Sequence, residues 1–254
     1  MKIKIYIVAY RDPAALDANL SSLYASDLCG IQPEVFVINN HSDFRMQNAY
    51  PVSVLHNTLR PDRSVGNLSQ NWNQALLLGF GDLEAPEADV VVCAQDDTVW
   101  NQDWLPTLIN NHQSYGFYTC GLGDSLVSYT PHAVRYIGLW DERFSVLAYH
   151  EADYFLRAAK HYQNLSSIND PGHGRVLNPT PDIMQRPDVT AERAGVVEHR
   201  VPYAEAARRL FDAKWAVDPK NWTPELLANI PDGMIEAVVE SAEECPGECI
   251  FIEA

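Results

Sequence analysis

What most restricts the fold of this 254-residue chain is the alternation, through its first hundred residues, of short β-forming runs with longer amphipathic segments. The runs "KIKIYIVAY" (2–10), "EVFVIN" (34–39), "VSVLHN" (52–57) and "ADVVVCAQ" (88–95) are expected as strands. The first and last are apolar enough to be buried on both faces. Between them, "PAALDANLSSLYAS" (13–26), opened by Asp12 and Pro13, and "NLSQNWNQALLLGF" (67–80) carry helical signals. Strand, helix and strand in repetition predict an α/β fold with a mostly parallel central sheet and helices on both faces. Ligands bind such sheets beyond the carboxyl ends of the strands.

The second half is less regular. "WLPTLINNHQSYG" (104–116), "PHAVRYIG" (131–138) and "EADYFLRAAKHY" (151–162) are expected as helices, and "FYTCG" (117–121) and "LVSYT" (126–130) as short strands. From about 170 to 200 the composition turns to Pro, Gly, Asp and Asn, which suggests a long ordered loop or lid. "YAEAARRLFDAKW" (203–215) and "PDGMIEAVVESAEE" (231–244) are helical by period. The expected division is therefore one domain over 1–200 with a C-terminal helical extension, 201–254, packed on it.

Charge removes some functions. With 34 acidic residues against 18 Lys and Arg, the formal charge of −16 repels phosphate backbones and anionic lipid, so neither nucleic acid nor a membrane surface is an expected partner. No stretch has the length of a membrane span, and the apolar N-terminal run is too short for a secretory signal, so a cytoplasmic location is expected. Five cysteines without a pairing pattern agree with a reducing compartment. Cys245 and Cys249 in "CPGEC" lack the second half of a zinc site and are expected in a solvated tail.

Three of the strands run into polar tails: "AYRD", "NNHSD" and "QDD". In the last, Asp96 and Asp97 place two carboxylates side by side at the end of a buried strand. Adjacent carboxylates can hold a divalent cation and orient a polyol, and hard oxygen donors suit Mg²⁺ or Mn²⁺, the cations that accompany diphosphates. The plainer alternative has Asp97 capping the following turn while Asp96 faces water.

These motifs, in this order, resemble those of nucleotide-sugar glycosyltransferases of the GT-A fold, in particular the family-2-like group. "VAYRD" (8–12) is similar to the family's "TYNR" turn, "INNHS" (38–42) to its "VDNGS" turn, and "GNLSQNWNQAL" (66–76) to its Gly/Asn-rich helix start. "AQDD" (94–97) matches the acidic metal motif, and "GLWDERFSVLAYHEADYFLRAAKHY" (138–162) the late block that ends in an Arg. The likeness covers roughly residues 3–165. It implies a GT-A (Rossmann-like) sheet and transfer of a sugar from a nucleotide-diphosphate donor to a glycan or other hydroxyl acceptor, with Mn²⁺ or Mg²⁺.

Carried onto this sequence, the resemblance makes Asp97 the metal-ligating carboxylate and Asp96 the contact to donor ribose or sugar. It places Val8, Ala9, Tyr10, Arg11, Asn39 and Asn71 around the nucleotide sugar, with Arg63, or alternatively Arg60, on the diphosphate. Gln95 stands where many relatives have an acid. Asn39 replaces the base-reading Asp, and its amide complements a uracil or thymine imide, which favours UDP or dTDP sugars over GDP sugars. Glu151 falls at the catalytic-base position, with Asp153 in reserve and His150 in place of an acid. His199, beside Glu198, is a candidate second metal ligand. Trp140 is open to two roles, stacking on an acceptor sugar or filling the core, and Asp141 is a candidate for acceptor hydroxyls. Two rival readings stand beside this one: a non-catalytic nucleotide- or carbohydrate-binding module, and a sugar-nucleotide nucleotidyltransferase. The second is disfavoured because "AYRDPAALD" has no glycine for a triphosphate loop.

Overall fold

The structure is a computed structural model, and it describes residues 1–10, 12–41, 44–57, 68–113, 115–120, 124–144, 149–162, 184–185 and 209–215. Arg11, Arg60, Arg63, Glu198, His199, Cys245, Cys249, nearly all of the expected 170–200 loop and most of 201–254 lie outside the described residues.

A six-stranded sheet forms the centre, in the order β3-β2-β1-β4-β7-β6. Its strands are β1 (Ile3–Ala9), β2 (Glu34–Asn39), β3 (Ser53–His56), β4 (Val90–Gln95), β6 (Phe117–Cys120) and β7 (Leu126–Tyr129). The four expected from the first hundred residues run parallel, and β7 and β6 add antiparallel at one edge. The sheet is therefore α/β and mostly parallel, as the alternation predicts.

Burial explains why β1 sits centrally: all seven of its residues are buried, which only a strand covered on both faces can achieve. Ile3, Ile5 and Ile7 point to one side. There they pack with Leu16, Leu20 and Leu23 of α1 (Pro13–Ala25) and with Trp104 and Leu108 of α3 (Trp104–His112). Tyr6 and Val8 point to the other, against Trp72, Leu76 and Phe80 of α2 (Leu68–Phe80), Ala133 and Val134 of α4 (Pro131–Ile137), and Tyr154 and Phe155 of α5 (Tyr149–Tyr162). The two-residue period thus builds two cores, one on each face.

Local chemistry sets the helix ends. Asp12 caps α1 by accepting from Ala14 N and Ala15 N at 3.1 and 2.9 Å, with Pro13 in the first turn. Thr130 caps α4 through Ala133 N, and the helix ends at Gly138, whose positive φ of 84° suits glycine. Helix α3 stops at His112, short of the expected residue 116. Helix α5 begins at Tyr149, two residues earlier than its periodicity suggests, which puts His150 and Glu151 in the first turn.

A second, two-residue pairing is new relative to the sequence reading: β5 (Val99–Trp100) lies antiparallel to β8 (Met184–Gln185). It brings part of the expected 170–200 loop back beside the segment that follows Asp97. Residues 209–215 are helical, as expected. Phe211 and Trp215 are buried, with Phe211 against Phe144 and Tyr149.

Helix α2 approaches the sheet most closely at Gly79, where an added Cβ would overlap the Val91 side chain and sit 3.3 Å from the Tyr6 ring. Gly79→Ala is expected to lower the unfolding free energy by about 1–3 kcal/mol despite the higher helix propensity of alanine, because the overlap is with a packed core. Urea denaturation read by circular dichroism measures this; an unchanged or higher midpoint would contradict the packing.

Candidate functional site

The parallel register aligns the carboxyl ends of the strands. Ala9 lies opposite Asn39, Val8 opposite Gln95, and Asn39 opposite His56, so the polar tails share one edge of the sheet. Asn40 N donates to Ala9 O at 3.2 Å, and Asp96 N to Val8 O at 3.0 Å, which extends the pairing into the tails. Tyr10 N in turn donates to Asp96 Oδ2 at 2.9 Å. Asp96 is only 4% exposed and does not face water as the plainer sequence reading had it. Burial, added to the negative charge of Asp97 and Asp12, pushes its carboxyl up to about 8 even though Tyr10 N–H favours the ionised form. Asp97 is 1% exposed, in the turn where Thr98 N bonds back to Gln95 O.

Beside β1 and β2 lies a cavity of about 270 Å³ lined by Ala9, Tyr10, Asp12, Leu16, His41 and Arg45, among others. Tyr10 and His41 meet there edge to face, with ring centroids 5.4 Å apart. Asn39, at the end of β2, is 1% exposed. Its Oδ1 accepts from His41 N at 2.9 Å and its Nδ2 donates to His56 Nδ1 at 3.0 Å, so the amide orientation is set within the protein. Next to it, Asn57 Nδ2 is shared among Asn40 Oδ1, Gln74 Oε1 and Asn71 Oδ1 at 3.0, 3.0 and 3.3 Å. Asn71 Nδ2 is buried without a hydrogen-bond partner among the described residues.

The sequence reading did not single out Asp124. Its buried carboxylate accepts from Trp72 Nε1 (2.6 Å) and His150 Nε2 (2.9 Å) on Oδ2 and from Gln95 Nε2 (3.0 Å) on Oδ1, while its backbone N–H donates to Glu151 Oε2 at 2.9 Å. Burial works against ionisation of Asp124, but His150 and these donors outweigh it and hold the carboxyl below its ordinary range. Glu151 is the reverse case. Burial and the charge of Asp124 push it up to about 7, against the opposing pull of His150. The only sequence signal for Asp124 was indirect: a buried indole needs an acceptor for its N–H.

Asp124, His150 and Glu151 each bring a ligand atom within 4.8 Å of the others, so the cluster deserves testing as a metal site. Without a cation the cluster is held together by its own hydrogen bonds, with Trp72 and His150 on Asp124 Oδ2 and Gln95 on Oδ1, so an ion there would have to displace the His150 contact. A further carboxylate, Asp97, lies buried at the strand edge.

Asp153 has a different task from the one held in reserve for it. It is 0% exposed, and its oxygens bond Arg157 Nε (3.0 Å), Lys214 Nζ (2.7 Å) and Trp215 Nε1 (3.0 Å). Lys214 also bonds Asp141 Oδ2 at 2.8 Å, and Arg143 grips Asp141 through Nε and Nη2. Both carboxylates thus fasten helix 209–215 to α5 and the 140s. Of the two roles open to Trp140, the structure has the core one: it is 2% exposed, donates to Tyr129 OH at 2.9 Å and stacks on Tyr154 at 4.2 Å.

No family model and no curated protein matches the chain. Solved structures do. S. aureus TarS 1-349 matches over 100% of this chain and 76% of its own, with 12% identity and a TM-score of 0.54. The same fragment in complex with UDP matches over 97% and 73%, with 13% identity and a TM-score of 0.53. Mannosyltransferase PcManGT from Pyrobaculum calidifontis, in complex with GDP-Man and Mn²⁺, matches over 96% and 75%, with 11% identity and a TM-score of 0.51. At these identities the likeness is one of fold, and the fold is GT-A.

The buried ion cluster yields a pH prediction. Burial opposes ionisation of Asp141, but Arg143 and Lys214 outweigh it and hold its carboxyl well below the usual carboxylate range. Its stabilisation is therefore complete above the unfolded value of about 4 and is lost as pH falls below it. Asp141→Asn should lower stability at pH 7 by about 3 kcal/mol and flatten the loss of stability in acid. Denaturant titrations from pH 2 to 7 check this; identical slopes for variant and wild type would contradict it.

Proposed function

We propose that this chain is a metal-dependent glycosyltransferase that transfers a sugar, with inversion, from a nucleotide-diphosphate donor to a hydroxyl of a glycan or other acceptor. The observation that carries the reading is Glu151. This half-buried acid at the start of α5 is tied through Asp124 N–H, and through Gln95 on the Asp124 carboxylate, to the end of β4, and its proton affinity lies near neutrality. A base tuned to the working pH is what removal of a hydroxyl proton requires.

Supporting it, the GT-A fold is shared with structures holding UDP, UDP-GlcNAc or GDP-Man with Mn²⁺. The cavity of Tyr10 and His41 offers aromatic surface for a nucleobase, at the sheet edge where such folds bind nucleotides. Glu151 would take the acceptor proton as the hydroxyl oxygen bonds the anomeric carbon and the bond to the diphosphate breaks. Charge then develops on the leaving nucleotide diphosphate. Asp97, with His199 as a further candidate, would hold Mn²⁺ or Mg²⁺, which supplies Lewis-acid stabilisation of that charge. Asp96 and the Tyr10 amide shape the turn on which the donor would rest. A uracil or thymine base is the proposed one on the resemblance at Asn39 alone, since that residue is 1% exposed and its amide bonds His41 and His56.

The test is release of nucleotide diphosphate from a panel of nucleotide sugars with Mn²⁺ and a hydroxyl acceptor. The rate should rise with pH through a midpoint near 7, the value to which Glu151 is raised. Glu151→Gln should reduce it at least about a hundredfold while calorimetric binding of UDP and Mn²⁺ persists; Asp97→Asn should abolish the Mn²⁺-dependent part of that binding. Full turnover in Glu151→Gln would overturn the base assignment. Nucleotide binding without turnover of any donor would favour the non-catalytic binding module.

A further inference from the structure

Glu151 could in principle adopt several rotamers at the first turn of a helix, and a general base has to be held within a few tenths of an ångström of its task. The group that holds it here is not an obvious one. Asp124 lies 27 positions away in sequence, in the segment leading into β7. It gives Glu151 its backbone N–H, not its side chain. A backbone amide is only as well placed as the loop that carries it. This loop is fastened by the Asp124 carboxylate, which draws three N–H donors from three elements: Trp72 on α2, Gln95 at the end of β4 and His150 on α5.

Of the positions where the chain lacks an acid of the resembling family, two, Gln95 and His150, turn an N–H on Asp124. An acid at either would set a second buried negative charge within hydrogen-bond distance of the first, a repulsion that only added protons or cations relieve. The replacements at 95 and 150 and the acid at 124 therefore make physical sense as one unit.

We propose that Asp124 is a positioning residue for Glu151, with its carboxylate, gripped by Trp72, Gln95 and His150, fixing the loop whose amide orients the base toward the donor edge of the sheet. The role rests on Glu151 being the base of the proposed transfer. The hydrogen-bonded unit itself does not depend on that reading, and the two are tested separately.

For the unit, the amide proton of Asp124 is followed by NMR in nucleotide-free protein. A carboxylate acceptor shifts such a proton downfield, so Glu151→Gln and Trp72→Phe should each move it upfield. A proton indifferent to Glu151→Gln would overturn the contact. For the role, Asp124→Asn, whose amide cannot accept from all three donors at once, should lower kcat by about tenfold or more, the usual scale for a misplaced catalytic group, with the donor KM changed less than about twofold. His150→Gln, which keeps an N–H for Asp124, should retain far more of the rate than His150→Leu. Should Asp124→Asn fail to fold, the His150 pair and Trp72→Phe carry the same comparison. A folded Asp124→Asn with wild-type kcat, or equal rates in the two His150 variants, would overturn the proposal. If the wild type turns over no donor while the amide proton still responds to Glu151→Gln, the functional reading falls and the unit stands.

Discussion

Strand β1 is paired in parallel on both sides, and nearly everything else in the site follows from that constraint. With Ala9 in register with Asn39 and Val8 with Gln95, the chain leaves the sheet at the same level three times, each time into a polar tail. The full burial of β1 sets the register, because a one-residue slip would turn Ile3, Ile5 and Ile7 toward α2 and Tyr6 toward α1. Backbone pairing then brings Tyr10, Asn40 and Asp96 to one level, where the Asp96 carboxylate accepts from Tyr10 N–H.

On that edge the protein buries several carboxylates, and it stabilises them by different means. Asp96 keeps a raised proton affinity with the Tyr10 N–H as one donor. Asp124 is held ionised by N–H donors from Trp72, Gln95 and His150, and its charge in turn lifts Glu151. Asp141 and Asp153 are matched by Lys214, Arg143 and Arg157. Asp96 and Glu151 are raised to about 8 and about 7, whereas Arg143 and Lys214 hold Asp141 well below the usual carboxylate range.

The sequence discloses much of this fold and less of its site. Strands covered on both faces write themselves as Val and Ile runs, so β1, β2 and β4 were legible; the two-residue pairing of β5 and β8 has no period to read. Glu151 and Asp153 look alike in sequence, yet two helical positions are about 200° apart, so one meets Asp124 and the other meets Lys214 and Trp215. Asn39 reads the same whether it faces a nucleobase or bonds His41 and His56. Trp140 was ambiguous because the partners that make it core, Tyr129 and Tyr154, come from two other elements. Asp124 belonged to no motif, since its importance lies in the donors that converge on it from far along the chain.

The central claim is that a nucleotide-diphosphate donor sits at the carboxyl edge of β1 and β4 with its cation on Asp97. A crystal structure of the protein grown with UDP and Mn²⁺ tests it most directly. The account predicts the uridine in the cavity beside Tyr10, His41 and Arg45, and the manganese anomalous signal against the Asp97 carboxylate. Manganese seated among Asp124, His150 and Glu151, or nucleotide bound away from that edge, would contradict it.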